Sequence, residues 1–226
     1  MPNNAKETVS TRVLSKADLE KELLLEEIRK TAAEASKAEI DLAIAKDQER
    51  DRAVKGGNIR NLNIFDAVMP PMTDKWIDAL DHWARRDPGE PVTININSPG
   101  GSVTDGLALY DTIMRLRREG HRVTTRGMGL VASMAGVLLQ AGEERILDQR
   151  AKLLIHEGSV NLKGNLTAGE QEDMQLFSKM LRGDILYILA ERSTLTKRQI
   201  ENKWKRRDWV LSADEALKFG FVDRVE

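Results

Sequence analysis

Residues 126–136 have the sequence RGMGLVASMAG, in which small residues surround a single hydroxyl group, that of Ser133. The stretch joins an apolar run that ends near Thr125 to a helix-like run at residues 134–141. We expect a tight turn that holds Ser133 beside the free N–H groups at the start of a helix, where a nucleophile and an oxyanion site are built together. A glycine-rich packing turn with an incidental serine is the simpler interpretation, and it stays open at this point.

The composition indicates a soluble globular protein. Of the 226 residues, 41% are hydrophobic and 31% are charged, and the net charge of −1 argues against a nucleic-acid partner. The absence of cysteine excludes disulfides and thiolate zinc sites. No apolar run reaches about 18 residues and the N-terminal residues lack the pattern of a secretory signal, so we expect no membrane partner and a cytoplasmic location.

The N-terminal quarter of the chain differs from the rest. Residues 1–15 are polar and are expected to be disordered, whereas residues 16–55 are rich in Ala, Leu, Glu and Lys and contain no Pro or Gly. A long helix that ends at Gly56 is predicted there, packed on its own domain or on a neighbouring subunit. The alternative is a solvated charged arm that is helical only in part. We therefore divide the chain into a flexible tail and charged helical arm, residues 1–57, and one domain, residues 58–226.

Strands and helices alternate through this second region. The predicted strands are 58–68, 91–97, 122–125, 145–148 and 152–155, and the predicted helices are 74–85, 107–118, 134–141, 168–192, 196–205 and 213–218. Thr73 is the expected cap of the first helix, whose Trp76, Leu80 and Trp83 share one face and are predicted to be core. The alternation predicts an α/β fold of βαβ units, with the turns after the strands gathered at one edge.

Two of those turns carry candidate chemistry. Residues 98–101 read Ser-Pro-Gly-Gly, a backbone that is able to approach a substrate closely and to point N–H groups into a cleft. The N–H groups of Gly101 and Met134 are therefore our candidate oxyanion donors. An ordinary turn between a strand and a helix remains an equal alternative for the first loop taken alone.

A serine nucleophile needs a base at neutral pH, and the chain has three histidines. His82 lies inside an amphipathic helix and is expected to be structural, and His121 lies in a polar turn and is expected to be solvated. His156 ends an apolar strand, where α/β sheets place functional groups. It is the candidate base, although a structural role for a histidine at a strand end is about as common.

Taken together, the motifs resemble the Clp-type serine peptidases, the ClpP proteolytic subunit group. The resemblance covers about residues 58–225, in the family's order and close to its spacings. The residues that carry it are INSPGGSV at 96–103, Gly106, Tyr110-Asp111, Gly129, Ala132-Ser133-Met134, Leu154-Ile155-His156, LSADEA at 211–216, Gly220 and Asp223.

This resemblance implies a crotonase-like fold of repeated ββα units, here with an added long N-terminal helix, and a Ser-His-Asp peptidase without a metal or other cofactor. By motif match Ser133 is the nucleophile, His156 the base, and the amides of Gly101 and Met134 the oxyanion hole. Family members bind an extended polypeptide as an added strand. They assemble as rings, usually two stacked heptamers that meet through the long helix at residues 168–192, and usually work with a hexameric AAA+ unfoldase.

The chain departs from the family at two places. The family's acid lies three residues beyond the match to Ile200, where this chain has Lys203, which cannot accept a hydrogen bond from a histidine. Asp208 is our candidate acid, with Asn202 as a weaker substitute and a structural role for Asp208 as the alternative. The second departure is the charged segment at 16–55, which replaces a short apolar segment that contacts the unfoldase.

These departures widen the range of functions that the sequence allows. The pattern resembles the Clp-type proteases of phages and prophages, some of which mature capsids, so a bacterial or phage-infected cell is the expected setting. Because Lys203 stands where the family has its acid, a second hypothesis is an inactive scaffold that keeps the ring but not the chemistry. A crotonase-type acyl-CoA enzyme is disfavoured, because such enzymes need no serine paired with a histidine.

Overall fold

The computed structural model describes residues 60–158, 167–205 and 208–226, together with residues 30, 34, 37 and 41. These four isolated residues are helical and exposed. The remainder of the helix predicted at residues 16–55 and the boundary predicted after residue 57 lie outside the described residues, and both stay predictions.

The described part of the chain alternates strands with helices and confirms the predicted α/β class. In chain order the elements are β1 (Arg60–Ile64), α1 (Met72–Arg86), β2 (Val92–Ser98), α2 (Val103–Arg118), β3 (Val123–Ala132), α3 (Met134–Leu139), β4 (Glu144–Leu147), β5 (Lys152–Ile155), α4 (Ala168–Glu191), α5 (Lys197–Trp204), β6 (Trp209–Leu211), α6 (Ala213–Lys218) and β7 (Arg224–Val225).

The strands form one sheet in the order β1-β2-β3-β4-β7, with every neighbouring pair parallel. Strand β5 pairs in parallel with the end of β3, and β6 adds to β5 in the antiparallel direction. Because parallel strands end at the same edge of a sheet, the segments that follow β2, β3 and β5 converge there.

The core lies between the sheet and the helices. Strands β1 and β2 bury alternate residues, among them Ile64, Ile94 and Ile96, and α1 buries the predicted face of Trp76, Leu80 and Trp83. Each large apolar side chain removed from water in this way contributes about 1.5–3 kcal/mol, which fixes the framework on which the loops are held.

Strand β3 runs through most of the stretch that was expected to be a turn. It extends from Val123 to Ala132, not only to Thr125, and its pairing with β2 jumps from Ile96↔Gly127 to Ser98↔Val131. Three residues therefore oppose Asn97, and this bulge coincides with the point where β3 exchanges β4 for β5 as its partner. The expected turn is thus limited to Ser133.

Two predicted helix starts were wrong. Helix α1 begins at Met72 with Pro71 at its cap, so Thr73 is a buried residue inside the helix and not the cap. Helix α2 begins at Val103, four residues before the prediction, because the hydroxyl of Ser102 accepts a hydrogen bond from the Asp105 N–H at 3.4 Å. None of the helices in the described ranges is long and apolar enough to cross a membrane.

Candidate active site

Ser133 occupies the single residue between β3 and α3, in a conformation that few residues other than glycine adopt. Its φ is 55° and its ψ is −124°. Its N–H donates to the carbonyl of Leu154 at 2.9 Å, and its own carbonyl accepts from the N–H of Gly136 at 2.9 Å. The strained backbone is therefore held from both sides, which projects the hydroxyl beyond the end of the sheet.

Gly100 keeps open the space next to this hydroxyl. Its φ is 86°, and a Cβ at this position would lie 2.6 Å from the carbonyl oxygen of Ala132, 2.7 Å from the Cβ of Ser133 and 2.8 Å from the N of Met134. Any side chain here would overlap the backbone and the Cβ of the residues around the Ser133 hydroxyl. Our sequence interpretation gave Gly100 no separate role, although the pair Gly100-Gly101 was the signal from which this close approach could have been predicted.

The loop that carries Gly100 is fixed by a short set of hydrogen bonds. The Ser98 hydroxyl donates to the Asp66 carbonyl at 2.6 Å and accepts from the Gly100 N–H at 3.1 Å. Val68 donates to the Gly100 carbonyl at 2.9 Å and accepts from the Ser102 N–H at 2.7 Å. Both neighbours of Gly101 are thus tied to the segment that follows β1.

The two N–H groups proposed as oxyanion donors remain available. Neither the Gly101 N–H nor the Met134 N–H donates a hydrogen bond to any acceptor within the described ranges. Gly101 is exposed, whereas Met134 is buried, and an unpaired amide at a buried residue is costly unless water or a ligand oxygen accepts from it. They flank Gly100, whose own N–H is already taken by Ser98.

His156 follows β5 and meets Ser133. Its Nε2 lies 2.8 Å from the hydroxyl oxygen of Ser133, and its Nδ1 lies 3.4 Å from Oδ1 of Asp208. The antiparallel register ends with Ile155 opposite Trp209, and the residues that come next on the two strands, His156 and Asp208, therefore lie close together. The three predicted catalytic side chains are therefore neighbours, with the His156 imidazole in the middle, partly exposed at 36%, and the Asp208 carboxylate largely exposed at 64%.

The other candidates lie elsewhere. Lys203 places its Nζ 4.9 Å from the ring centre of Trp209 and 5.2 Å from that of Phe219, and Asn202 is exposed. His82 is part of α1. His121 is buried, with its Nδ1 2.8 Å from the Glu90 carbonyl oxygen, so the expectation that it is solvated was wrong.

Next to His156 lies a pocket whose charged groups the sequence did not reveal. Val103, Leu181, Ile185 and Trp204 supply its apolar lining, and Glu157 and Arg182 supply charge. Glu157 and Arg182 are 25 positions apart, and nothing in the pattern of charges indicates that they meet. Within the described ranges, no group of three or more histidine, aspartate or glutamate side chains is placed to hold a metal ion.

The arrangement has the elements of acyl transfer. When the proton of the imidazole sits on Nδ1, toward Asp208, Nε2 is free to accept the proton of the Ser133 hydroxyl. A carbonyl carbon presented to that hydroxyl would bring its oxygen toward the unpaired amides.

Comparison with known proteins gives a family match over most of the chain. A model of the Clp protease family matches residues 46–226. The chain is 37% identical over 144 residues to the ATP-dependent Clp protease proteolytic subunit 3 of Synechococcus sp. (strain CC9902), covering 62% of this chain and 68% of that protein. It is 36% identical over 145 residues to the ATP-dependent Clp protease proteolytic subunit 2 of Tropheryma whipplei (strain Twist), covering 62% of this chain and 75% of that protein. These matches and the parallel α/β sheet confirm the predicted crotonase-like fold for the described domain.

Proposed function

The chain belongs to the Clp protease family and is a serine-type peptidase, and we propose that it cleaves extended polypeptides internally with Ser133, His156 and Asp208. The observation that carries this proposal is the 2.8 Å separation between the Ser133 hydroxyl oxygen and Nε2 of His156. No other histidine of the described ranges contacts a serine hydroxyl at the end of a strand.

In this proposal the Ser133 oxygen attacks the scissile carbonyl carbon while His156 takes the hydroxyl proton. The negative oxygen that forms is stabilised by the amides of Gly101 and Met134, and His156 then returns the proton to the departing amine. Water then attacks the acyl carbon while His156 takes one of its protons, and His156 returns a proton to the Ser133 oxygen as the carboxylic acid product leaves. Asp208 orients the imidazole and stabilises its positive charge.

Labelling with a fluorophosphonate probe tests this chemistry. We expect one phosphonate per chain on Ser133, with no labelling and no peptidase activity in the Ser133→Ala variant. Labelling of another residue, or full activity in Ser133→Ala, would remove the proposal. A correctly assembled protein that is never labelled would instead support the inactive scaffold.

The proposal includes assembly into a ring of identical subunits, a heptamer or two stacked heptamers. Support comes from α4, whose first ten residues are all exposed within the chain although they include Met174, Leu176 and Phe177. This helix of 24 residues is about 36 Å long and buries Leu186, Ile188 and Leu189 near its C-terminal end, so the apolar side chains of its first half are available to a partner subunit. Native mass spectrometry of the full chain tests the number of subunits.

The partners follow from the same family. Both relatives are named as ATP-dependent, so an AAA+ unfoldase that feeds the ring belongs to the proposal, in the cytoplasm of a bacterium or a phage-infected cell. Degradation of a folded test protein should then require both the unfoldase and ATP. A capsid-maturation protease is the narrower alternative, and it would cleave a capsid precursor without either.

A further inference from the structure

One cation connects the residue that follows the candidate base to helices α4 and α5. Arg182, on α4, donates from Nη1 to Oε1 of Glu157, the residue that follows His156. Its Nη2 donates to Oε1 of Glu201, on α5, at 3.0 Å. Its guanidinium carbon also lies 5.8 Å from the ring centre of Trp204, which is on the same helix as Glu201.

The contact between Arg182 and Glu157 matters because the hydrogen-bonded pairing of β5 with β6 ends just before His156. Strand β5 finishes at Ile155, so His156 and Glu157 lie beyond the last paired residues. The imidazole has contacts to Ser133 and Asp208 on one side. The contact between Glu157 and Arg182 is the next attachment along the chain, and it ties this segment to the body of the protein.

These ion pairs of Arg182 matter more for the positions of the side chains than for the stability of the fold. The three charged side chains are each partly exposed, at 31% for Arg182, 32% for Glu157 and 42% for Glu201, and an ion pair of this kind adds little to stability. A guanidinium, however, presents its donors in a rigid plane and so holds two carboxylates at fixed positions. A displacement of about 1 Å in a catalytic group is enough to cost about 100-fold in rate.

We propose that Arg182 is a positioning residue: by holding Glu157 in place, it keeps the His156 imidazole within hydrogen-bond reach of Ser133. This inference rests on the proposed function of Ser133 and His156. The competing role is direct contact with a substrate side chain, because Arg182 and Glu157 also line the pocket beside His156.

Two readouts separate these roles. The first is the rate at which diisopropyl fluorophosphate modifies Ser133, since this small reagent carries no peptide side chain. The second is kcat and KM for a fluorogenic peptide. In Arg182→Met we expect both the modification rate and kcat to fall by about 10- to 100-fold, with KM changed by less than about 2-fold.

Three further variants complete the design. Arg182→Lys keeps the positive charge but loses the planar pair of donors, and both of its rates should lie between those of Arg182→Met and the wild type. Glu157→Gln should resemble Arg182→Met, and the double variant should be no slower than either single one, because both remove the same contact. Lys179→Met removes a positive charge from an exposed position on the same helix and should change neither rate.

The opposite results are equally specific. A raised KM with an unchanged modification rate would assign Arg182 to the substrate pocket and overturn positioning. A lower melting temperature of Arg182→Met without a change in either rate would leave Arg182 only a structural role and would also overturn the positioning proposal. Failure of the wild-type protein to react at Ser133 would remove the proposed function itself, whereas a reactive wild type with an equally reactive Arg182→Met removes only this inference.

Discussion

Asp208 faces His156 across the end of the β5–β6 pair, with its Oδ1 3.4 Å from Nδ1 of the imidazole. This distance is longer than the 2.7–2.9 Å of a tight charge-assisted hydrogen bond, and the carboxylate is largely exposed. In the proposed triad we expect this contact to orient the imidazole without desolvating the charge, and so to contribute less to catalysis than a buried acid would.

The first prediction concerns this contact. We expect Asp208→Asn to lower kcat for a fluorogenic peptide by about 10- to 100-fold, less than the roughly 10⁴-fold that removal of a buried triad aspartate costs. Asn202→Ala, which changes the weaker candidate on α5, is the matched control and should retain full activity. An Asp208→Asn enzyme with normal kcat would show that another group orients His156.

Gly100 provides the second prediction. Gly100→Ala should lower the rate of Ser133 modification by at least about 100-fold, because the added methyl group would overlap the backbone around Ser133 and displace the hydroxyl. Gly89→Ala is the control, since Gly89 has a similar φ of 79° but open space around it. Equal losses in the two variants would mean that backbone strain, and not obstruction of the site, is responsible.

The third prediction is a pH dependence of stability. Burial alone would raise the pKa of Asp223, but hydrogen bonds from Arg145 outweigh burial and hold that pKa below its ordinary value. A carboxylate with a lowered pKa in the folded state stabilises it above the ordinary aspartate pKa of about 3.9, and this contribution is lost as the pH falls through the lowered value.

Asp223→Asn should therefore lower the free energy of unfolding by about 1–3 kcal/mol at pH 7, because Arg145 is buried and loses its anionic partner. Urea unfolding at pH 7 and pH 3, at one protein concentration, measures the effect. The difference from the wild type should shrink at pH 3. Asp78→Asn, at an exposed position on α1, is the control, and a difference that is the same at both pH values would contradict the assignment.

The fourth prediction concerns assembly. Leu176→Glu together with Met180→Glu places charge among the exposed apolar side chains of α4 and should convert the assembled ring, or pair of rings, to smaller species by native mass spectrometry. Gln175→Glu adds one negative charge at a neighbouring polar position without removing an apolar side chain and should leave the mass unchanged. An unaltered mass in the double variant would mean that another surface joins the subunits.

Local physics made much of this fold predictable. Helices α4, α5 and α6 were predicted to within one residue at each end, and in the structure each follows a capping box that Thr167, Thr196 or Ser212 forms with the residue three positions later. The start of α1 was missed because proline replaced the expected hydroxyl cap. The bulge in β3 was missed because Gly129 in a strand and Gly129 in a turn look alike until the pairing partners are known.

The sequence by itself determined the α/β class, the family resemblance, and the choice of Ser133 and His156 as candidates, because the motifs and the apolar periodicity are written along the chain. The sequence also named Asp208 as the candidate acid, but only the tertiary structure showed how near it lies to His156, that Gly100 lies against Ser133 and that Arg182 contacts Glu157. The reason is that these contacts depend on strand register and on which helix face meets the sheet. Both are set by packing between segments 25 or more residues apart, and no local pattern encodes them.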